Sequence, residues 1–459
     1  MNLVQQIAFL GLLAFAAFLL FRRIRFIQRN ILLGKKTGAV EQKGERMKRT
    51  LLLAFGQKKM FDKPIVGFLH FAIYAGFIII NIEILEIILD GVLGTHRLFA
   101  PLVSAGVYRA FLGIFEFLAL GVVLSCAIFL IRRNALKVGR FHKPEMKGWP
   151  TSDANIILIW EIALMFALYT MNAADSILQS RIGDMAYVDA HYTNVGAFAV
   201  SQWFVPLYDN LSTGMLLTVE RVAWWVHIAG ILGFAIYITY SKHLHIILAF
   251  PNVYFGDLRP KGEMENMETV TQEVKIAMGL AADTAAESEE IGTFGAKDVT
   301  DLSWKNLMDA YSCTECGRCT AVCPANITGK KLSPRKIMMD TRDRMEALGG
   351  KIDKEGKEYT DEDTLYGNYI TKEELMACTT CNACVEACPV TINPLSIILQ
   401  LRRYVAMEES GTPAAWNAMF SNIENNAAPW AFPATERFKW ADELQREEEP
   451  KENSETGHN

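Results

Sequence analysis

Residues 313–324 read CTECGRCTAVCP, and residues 378–389 read CTTCNACVEACP. Both stretches follow the spacing C-x2-C-x2-C-x3-C-P, which holds 4Fe–4S clusters in two-cluster ferredoxins. A disulfide framework or zinc knuckles are the alternatives, but zinc sites usually present two CxxC pairs rather than two runs of four cysteines. The sequence therefore predicts two 4Fe–4S clusters.

The motif also predicts which cysteines share a cluster, because the fourth cysteine of each run reaches the cluster of the other run. The first cluster is expected on Cys313, Cys316, Cys319 and Cys388. The second cluster is expected on Cys378, Cys381, Cys384 and Cys323. Both clusters are then complete, so no iron remains open to bind a substrate. We expect an electron relay without catalytic residues of its own.

The composition indicates a membrane protein with a substantial water-exposed part. Of 459 residues, 51% are hydrophobic and 21% are charged, and the net charge of −5 gives no reason to expect a nucleic acid partner. Thiolates that bind iron persist in a reducing compartment, so we expect the cysteine runs in the cytoplasm.

Five apolar segments are long enough to cross about 30 Å of hydrocarbon. They lie at residues 3–21 and at about 64–89, 107–131, 154–177 and 216–240. The connections at 22–63 and 132–152 are rich in Lys and Arg, whereas those at 90–106 and 178–215 each carry a single arginine, Arg97 and Arg181. Because basic loops stay in the cytoplasm, the N-terminus is expected on the outer side of a bacterial inner membrane and the cysteine runs on its cytoplasmic side. No basic region precedes the first segment, so it reads as a retained anchor rather than a signal peptide.

These features predict an all-α chain: a five-helix transmembrane bundle followed by a mainly helical dicluster ferredoxin domain. The expected parts are the bundle at 1–255, an acidic linker at 256–300 with a helix near 266–280, the ferredoxin domain at 301–410, and a partner-docking segment with a charged, disordered tail at 411–459. Within the ferredoxin domain, helices are expected after Ser333, ending at Gly349-Gly350, after Thr371, and after Asn393.

Histidines in the apolar segments suggest a b-type haem. His70 in the second segment and His245 at the end of the fifth fall at a similar depth, and paired histidines on facing helices suit haem ligation. His227 lies five helical turns from His245 if the fifth helix is continuous, which would leave room for a second haem. The alternative for each histidine, and the favoured one for His243, is a hydrogen bond to a neighbouring helix.

Acidic residues gather toward the outer half of the segments. Glu83, Glu86 and Asp90 share one face of the second helix, and Glu220 lies at a comparable depth in the fifth. Charges in hydrocarbon are costly unless they are paired or hydrated. Two accounts stay open: a structural ion-pair network around Arg221, or a quinone pocket where a carboxylate exchanges protons.

Residues 1–255 resemble the cytochrome b membrane subunit of respiratory nitrate reductases and membrane-bound heterodisulfide reductases. The resemblance rests on the five segments and on His70, His227 and His245. Residues 301–410 resemble the helical ferredoxin subunit of heterodisulfide reductase-type complexes through the two cysteine runs. Two-haem members carry two histidines on the second segment, whereas this chain carries only His70. The chain also lacks the cysteine-rich CCG repeats of longer relatives.

The resemblance implies a membrane-anchored subunit of a quinone-linked oxidoreductase in a respiratory chain. Electrons would pass between a menaquinone or ubiquinone pool, one or two b haems and the two clusters, and a separate cytoplasmic CCG-type or flavoprotein subunit would hold the substrate site. Two alternatives remain open: a haem-free anchor carrying a ferredoxin wire, and a redox-driven ion-translocating or redox-sensing membrane protein.

Overall fold

A computed structural model of the chain describes residues 3–38, 40–196, 198–280, 293–356, 358–360 and 362–448. Within these ranges the regular structure is helical, and extended pairing is limited to two isolated bridges, Lys35 with Ser303 and Tyr366 with Ile370. The predicted all-α class, with a helical bundle followed by a ferredoxin domain, is confirmed.

Five helices are long and apolar enough to cross a membrane, as predicted. They span Leu3–Ile31, Pro64–Leu93, Ala105–Asn134, Trp149–Ser180 and Thr213–Ile238, and are called here the first to fifth spans. Each is longer than its apolar segment because polar turns continue the helix at one or both ends. Pro64 starts the second span at a position where a missing N–H costs nothing, and Gly94, with φ of 75°, ends it.

The end of the bundle that contacts the cysteine domain is called the inner end, and the opposite end is the outer end. The basic connections at 22–63 and 132–152 lie at the inner end, beside the cysteine domain, and those at 94–104 and 181–212 lie at the outer end. The asymmetry of basic residues therefore coincides with the position of the cysteine domain.

The fifth span is not continuous with His245, which corrects the sequence-based prediction. The helix ends at Ile238, and the Thr239 hydroxyl donates to the Ile236 carbonyl at 2.7 Å. Ser241 then caps a short turn, and a separate helix, His245–Tyr254, begins at His245 itself. The five-turn relation between His227 and His245 therefore does not hold.

The cysteine domain is built from one long helix surrounded by shorter ones. Its helices are Trp304–Ser312, Arg318–Ala321, Pro324–Ile327, Pro334–Glu355, Lys372–Met376, Ala383–Ala387 and Pro394–Met407. The caps expected at Ser333, Thr371 and Asn393 are present, each side chain accepting a backbone N–H of the first turn. This helical shell brings the two cysteine runs together.

The helix after Ser333 runs through Gly349 and Gly350 to Glu355, so the predicted stop at the two glycines is wrong. Gly349 serves as a contact surface instead. A Cβ at Gly349 would clash with the side-chain amide of Asn30, at the inner end of the first span. Asn30 is fully buried and donates to the Tyr311 hydroxyl at 2.9 Å. The glycine lets the first span and the long helix approach closely.

The first span also shares an apolar core with the cysteine domain. Ile27 and Leu244 of the membrane part pack in one cluster with Leu307, Ile337 and Ile398 of the cysteine domain. Beside this cluster, both terminal nitrogens of the Arg23 guanidinium donate to the Glu346 carboxylate, at 2.8 and 3.0 Å. The cysteine domain is thus packed against the bundle rather than tethered to it.

The segments outside these two parts agree with the sequence in places. A helix at Glu268–Ala277 matches the one expected in the acidic linker, of which residues 281–292 lie outside the described residues. Further helices span Ala414–Asn426 and Lys439–Glu448. The second of these includes residues where disorder was expected, and the last residues of that tail, 449–459, lie outside the described part.

Substitution at the glycine pair tests the docking of the long helix. We expect Gly349→Ala to push against Asn30 and to lower the free energy of unfolding by about 1–3 kcal/mol, the usual cost of overpacking. The matched control is Gly350→Ala, where the added Cβ meets nothing within 4 Å and should stabilise the helix by about 0.5–1 kcal/mol. Thermal unfolding of the purified protein in detergent measures both. Equal effects of the two substitutions would contradict the role of Gly349.

Candidate electron-transfer site

The structure brings the eight cysteines together crosswise, in two groups. Cys313, Cys316, Cys319 and Cys388 are close enough for their thiols to act electrostatically on one another. Cys323, Cys378, Cys381 and Cys384 do the same. These are the two sets that the ferredoxin motif predicts. Because the first group faces the inner end of the bundle, it is called the proximal group, and the second is called the distal group.

Tight turns shape the loop of the proximal group. Glu315 and Gly317 both have left-handed backbones, with φ of 54° and 71°. These turns fold the three cysteines of the first run around one space before the Arg318–Ala321 helix starts. Cys388 enters from the second run, and the Ile392 N–H donates to its sulfur at 3.3 Å. An N–H aimed at a thiolate sulfur stabilises its negative charge.

All four cysteines of the distal group line one small cavity, together with Leu332, Pro334, Thr379, Asn382, Leu395 and Ile398. Cys381 is exposed and Cys384 is buried. The Thr380 N–H donates to the Cys378 sulfur at 3.4 Å. Cys319 of the proximal group and Cys384 of the distal group interact electrostatically, so the two groups adjoin.

The donor sets suit clusters better than single ions. In the part of the chain that the structure describes, no three His, Cys, Asp or Glu side chains converge closely enough to hold one metal ion. A cubane spreads its four thiolate ligands around four irons, which suits two groups of four cysteines. Burial raises the pKa of the Cys313 and Cys388 thiols to about 12, and neighbouring thiols act in the same direction. Binding of iron by these thiols would release protons.

A pair of histidines lies at the inner end of the bundle. The ring centres of His70 and His245 are 6.4 Å apart, and the rings are inclined by 42°. His70 Nδ1 donates to Gln57 Oε1 at 3.0 Å, and His245 Nδ1 donates to the Lys242 carbonyl at 3.2 Å. Both Nε2 atoms are therefore left as acceptors. Two metal–nitrogen bonds of about 2 Å place the centres of facing imidazoles about 6 Å apart, so the pair fits one iron between them.

The ring of His245 is held in the form that binds metals. Burial lowers the pKa of His245 to about 4, while its bond to the Lys242 carbonyl acts in the opposite direction. The imidazole is therefore neutral at pH 7, and its lone pair is free for a metal. His243 lies 5.3 Å from His245, edge to face, and 5.7 Å from Phe234, which is a packing role.

One short turn joins the histidine pair to the proximal group. Gln57 orients His70, while Lys59, two residues later, donates to the carbonyls of Glu386 and Cys388 at 2.8 and 3.5 Å. Arg318, next to Cys319, donates to the Lys59 carbonyl at 3.0 Å. The same three-residue turn thus contacts a ring of the pair and both cysteine runs.

A buried ion pair forms a second connection. Glu315, between Cys313 and Cys316, contacts the Lys242 ammonium, and the carbonyl of Lys242 holds His245. Arg342 also donates to Glu315, at 2.8 Å. Burial opposes ionisation of Glu315, but Lys242 and Arg342 outweigh it and hold its pKa below the ordinary value.

His227 stands apart from the pair. It is fully buried in the fifth span, and neither ring nitrogen has a hydrogen-bond partner in the described part of the chain. His96, at the outer end, is not its partner: the His96 ring packs at 46° to Tyr192, with ring centres 4.5 Å apart, and faces Asp175 at 3.9 Å. No second ligand for His227 emerges from these contacts.

The outer end contains a network of buried charges whose centre is Arg97, a residue that sequence reasoning counted only as a loop charge. Arg97 is 6% exposed and donates to Asp175 at 2.8 and 3.0 Å and to Asn172 at 2.7 Å. The Arg221-centred network expected from the sequence is reduced to a pair with Glu220, which also accepts from the Tyr192 hydroxyl at 3.1 Å. No sequence pattern predicts that this short outer loop folds back into the bundle.

The carboxylates of the second span divide into two kinds. Asp90 accepts from the N–H groups of Arg97 and Leu98, and Glu86 accepts from the Phe99 N–H and the Tyr108 hydroxyl. These two hold the loop after the span. Glu83 is different, because neither of its oxygens makes a hydrogen bond within the described residues. Its nearest cation is Arg97, at 3.6 Å, and Asn172 lies beside it.

A cavity of about 230 Å³ opens at this end beside the network. Its walls include His96, Arg97, Tyr108 and Asn194. His96 Nδ1 has no partner in the described part of the chain, and burial lowers the pKa of His96 to about 4 although Asp175 acts in the opposite direction. Leu102 and Val103, which follow the cavity-lining Pro101 along the chain, are exposed.

Comparison with known proteins supports the cysteine assignment at the level of the domain. The family model of the 4Fe-4S dicluster domain matches residues 312–392, which include all eight cysteines. No solved structure matches the chain.

Relatives with similar sequences are named as oxidoreductases or ferredoxins. A probable iron-sulfur-binding oxidoreductase, FadF, of Bacillus subtilis is 26% identical over 98% of this chain and 62% of its own length. The EtfAB:quinone oxidoreductase of Syntrophomonas wolfei is 25% identical over 87% of this chain and 54% of its own. A probable membrane-anchored ferredoxin of Chromohalobacter salexigens is 32% identical over 33% of this chain and 24% of its own. The chain thus spans little more than half the length of the first two relatives. It is similar to membrane-associated iron–sulfur electron carriers.

The crosswise grouping predicts that cysteines from different runs share one cluster. Cys388→Ala and Cys313→Ala should disturb the same cluster signal in electron paramagnetic resonance, although they lie in different runs. Cys323→Ala and Cys378→Ala should disturb the other. Cys126→Ala, at a buried site in the third span, is the control and should leave iron content unchanged. If Cys388→Ala and Cys378→Ala disturb the same signal instead, the assignment is contradicted.

Proposed function

We propose that the chain is a membrane-anchored electron-transfer subunit of a quinone-linked oxidoreductase. Electrons pass between the membrane quinone pool and a cytoplasmic partner through a b-type haem and two 4Fe–4S clusters. The observation that carries the proposal is the contact between the histidine pair and the proximal group through the turn at Gln57 and Lys59. This contact supports a continuous path for electrons between the histidine pair of the bundle and the cysteine domain.

The proposed ligands are the residues expected from the sequence, with their roles now separated. His70 and His245 would hold the haem, which supplies a one-electron carrier at the inner end. Gln57 and the Lys242 carbonyl would fix the two rings, as outer partners of metal-bound histidines do. His227 is left without a partner, which favours a single haem. The proximal and distal groups would hold the two clusters in that order from the membrane.

The outer end offers a place for the quinone. A quinol that gives up electrons also gives up protons. The cavity beside His96 and Arg97 has an imidazole nitrogen without a hydrogen bond in the described residues, and Glu83, which makes no hydrogen bond there and pairs only with Arg97 at 3.6 Å, belongs to the same network. Of the four acidic residues considered from the sequence, Glu86, Asp90 and Glu220 have structural partners, so Glu83 is the proposed proton acceptor. The exposed Leu102 and Val103 suit an apolar ring or tail entering from lipid.

The distal group is the proposed exit to the partner, because Cys381 is exposed there. One relative carries EtfAB and quinone in its name. We propose a partner of that kind, a flavoprotein, in preference to the CCG-type subunit. The exposed aromatic residues Phe420, Trp430, Phe432 and Phe438 of the segment after the cysteine domain are proposed to contact it. The cysteine domain would then lie in the cytoplasm and the N-terminus outside.

The haem assignment predicts an optical signature. A dithionite-reduced minus oxidised spectrum of the purified protein should show the α-band of a b-type haem. His70→Ala and His245→Ala should each abolish it, because a bis-histidine iron loses an axial ligand. His243→Ala, a packing neighbour, should retain the band, and so should His142→Ala at an exposed loop. A spectrum without the band would favour the haem-free anchor with a ferredoxin wire.

The quinone assignment predicts a proton-linked defect at Glu83. In membrane vesicles, Glu83→Gln should slow haem reduction by menadiol about 10²-fold and flatten its pH dependence, because the proton acceptor is gone. Asp209→Asn, an exposed carboxylate of the outer loops, is the control and should react normally. Normal kinetics in Glu83→Gln would contradict the proposed role. Proton or sodium uptake by proteoliposomes under an artificial reductant would instead favour the ion-translocating alternative.

A further inference from the structure

The basic connections at the inner end do more than fix orientation, because several of their cations lie against the proximal group. Lys63, just before the second span, and Arg140, between the third and fourth spans, both interact electrostatically with Cys316. Arg318 lies within the cysteine run and reaches the backbone of Lys59 and the sulfur of Met60. Cations from three separate segments thus surround one group of thiols.

Close packing holds Arg140 in place. Arg335 is fully buried, and its guanidinium donates to the Arg140 carbonyl at 2.7 Å and to the Glu315 carbonyl at 3.5 Å. A Cβ at Gly317 would clash with the Arg335 guanidinium and lie 3.6 Å from the Arg140 side chain. The loop of the proximal group and the connection that carries Arg140 are therefore in direct contact.

The charges of these cations differ in how they are balanced. Arg335 pairs with Glu145 at 2.6 Å, and Lys242 pairs with Glu315. By contrast, Lys63, Arg140 and Arg318 form no ion pair with a carboxylate in the part of the chain that the structure describes, and Arg140 Nε also lacks a hydrogen-bond partner there. Three positive charges without a carboxylate partner thus lie around the proximal group, with Arg140 packed directly against its loop, Arg318 within its run and Lys63 exposed at its edge.

The distal group has a different environment. Its neighbouring cation is Arg402, which donates to the Leu375 and Cys378 carbonyls at 2.9 and 2.6 Å. Lys336, on the long helix, is balanced by Asp340 and Glu374. The two groups share ligand type and fold but differ in exposure, since Cys381 is exposed and Cys313 is buried, and in the cations beside them.

We propose that Lys63, Arg140 and Arg318 form a cationic seat that stabilises the reduced state of the proximal cluster and so directs electrons from the distal cluster toward the bundle. A 4Fe–4S cluster gains one negative charge on reduction, and nearby fixed cations favour that state, more strongly where water is excluded. Since the proposal rests on the proposed relay, it adds a preferred direction to it: electrons enter from the partner and leave to the quinone, and in that direction Glu83 would pass protons to the quinone instead of accepting them.

The test is a redox titration of the purified, cluster-loaded protein followed by electron paramagnetic resonance. Cys381→Ser, at an exposed ligand of the distal group, identifies which signal belongs to the distal cluster. In the unmodified protein, the proximal cluster should have the higher midpoint potential. Arg140→Gln should lower the potential of the proximal cluster alone, with a tenfold change in its reduction equilibrium corresponding to 59 mV for one electron.

Control variants separate charge from folding. Arg140→Lys keeps the charge and should restore most of the potential. Lys147→Gln removes an equal charge from an exposed site of the same connection and should leave both potentials unchanged. Lys63→Gln and Arg318→Gln should act in the same direction as Arg140→Gln. Equal shifts of both clusters, no shift, or a distal cluster of higher potential would overturn the seat.

Failure of the relay and failure of the seat give different results. Two cluster signals, no haem band and a selective shift in Arg140→Gln would support the cationic seat and contradict the proposed relay. The haem band, two cluster signals and no selective shift would support the relay and contradict the cationic seat.

Discussion

The ion pair between Glu315 and Lys242 is the contact on which the arrangement of the redox groups depends. Both side chains are buried where the cysteine domain meets the bundle, with 3% and 9% of their surface exposed. Buried charges are tolerated only when they are paired and hydrogen-bonded, and loss of one partner typically costs about 3–5 kcal/mol. The pair therefore fixes the docking geometry. It also ties the turn that presents His245 to the loop that presents Cys313 and Cys316, so neither can move alone.

The basic residues of the inner end have two physical roles that reinforce each other. In the membrane, connections rich in Lys and Arg remain on the cytoplasmic side. In the folded protein, the same connections supply cations beside a group of thiolates. A chain inserted in this orientation therefore places its positive charges where negative clusters are to be bound. The outer end shows the opposite balance, because Arg97 and Arg221 are each neutralised by carboxylates in contact.

Much of this arrangement follows from the sequence, and the rest depends on contacts that sequence patterns do not encode. The five spans are long apolar runs, and the crosswise cysteine groups follow from a fixed spacing, so both were predictable. The break after Ile238 falls in the polar stretch 239–245, where Thr239 and Ser241 end the helix by side-chain bonds that hydropathy does not show. The sequence pattern predicts a helix stop at Gly349, because it cannot show that Asn30 packs against this residue. Arg97 and Gln57 were missed because each gains its role from a loop that folds back onto a span.

The two ends of the bundle differ in a way that bears on electron transfer. At the outer end, the buried side-chain atoms without a hydrogen bond in the described residues are His96 Nδ1, the oxygens of Glu83, one oxygen of Asp175 and Gln179 Nε2. At the inner end, nitrogens of Arg133, Arg140 and Arg335 and the Thr391 hydroxyl are in the same state, and the eight cysteines of the two runs are free thiols. Polar atoms that stay unpaired in a packed interior mark places where a ligand is expected, because burial without a partner is costly. On the proposed relay, the outer atoms would serve the quinone site and the inner thiols would hold the clusters.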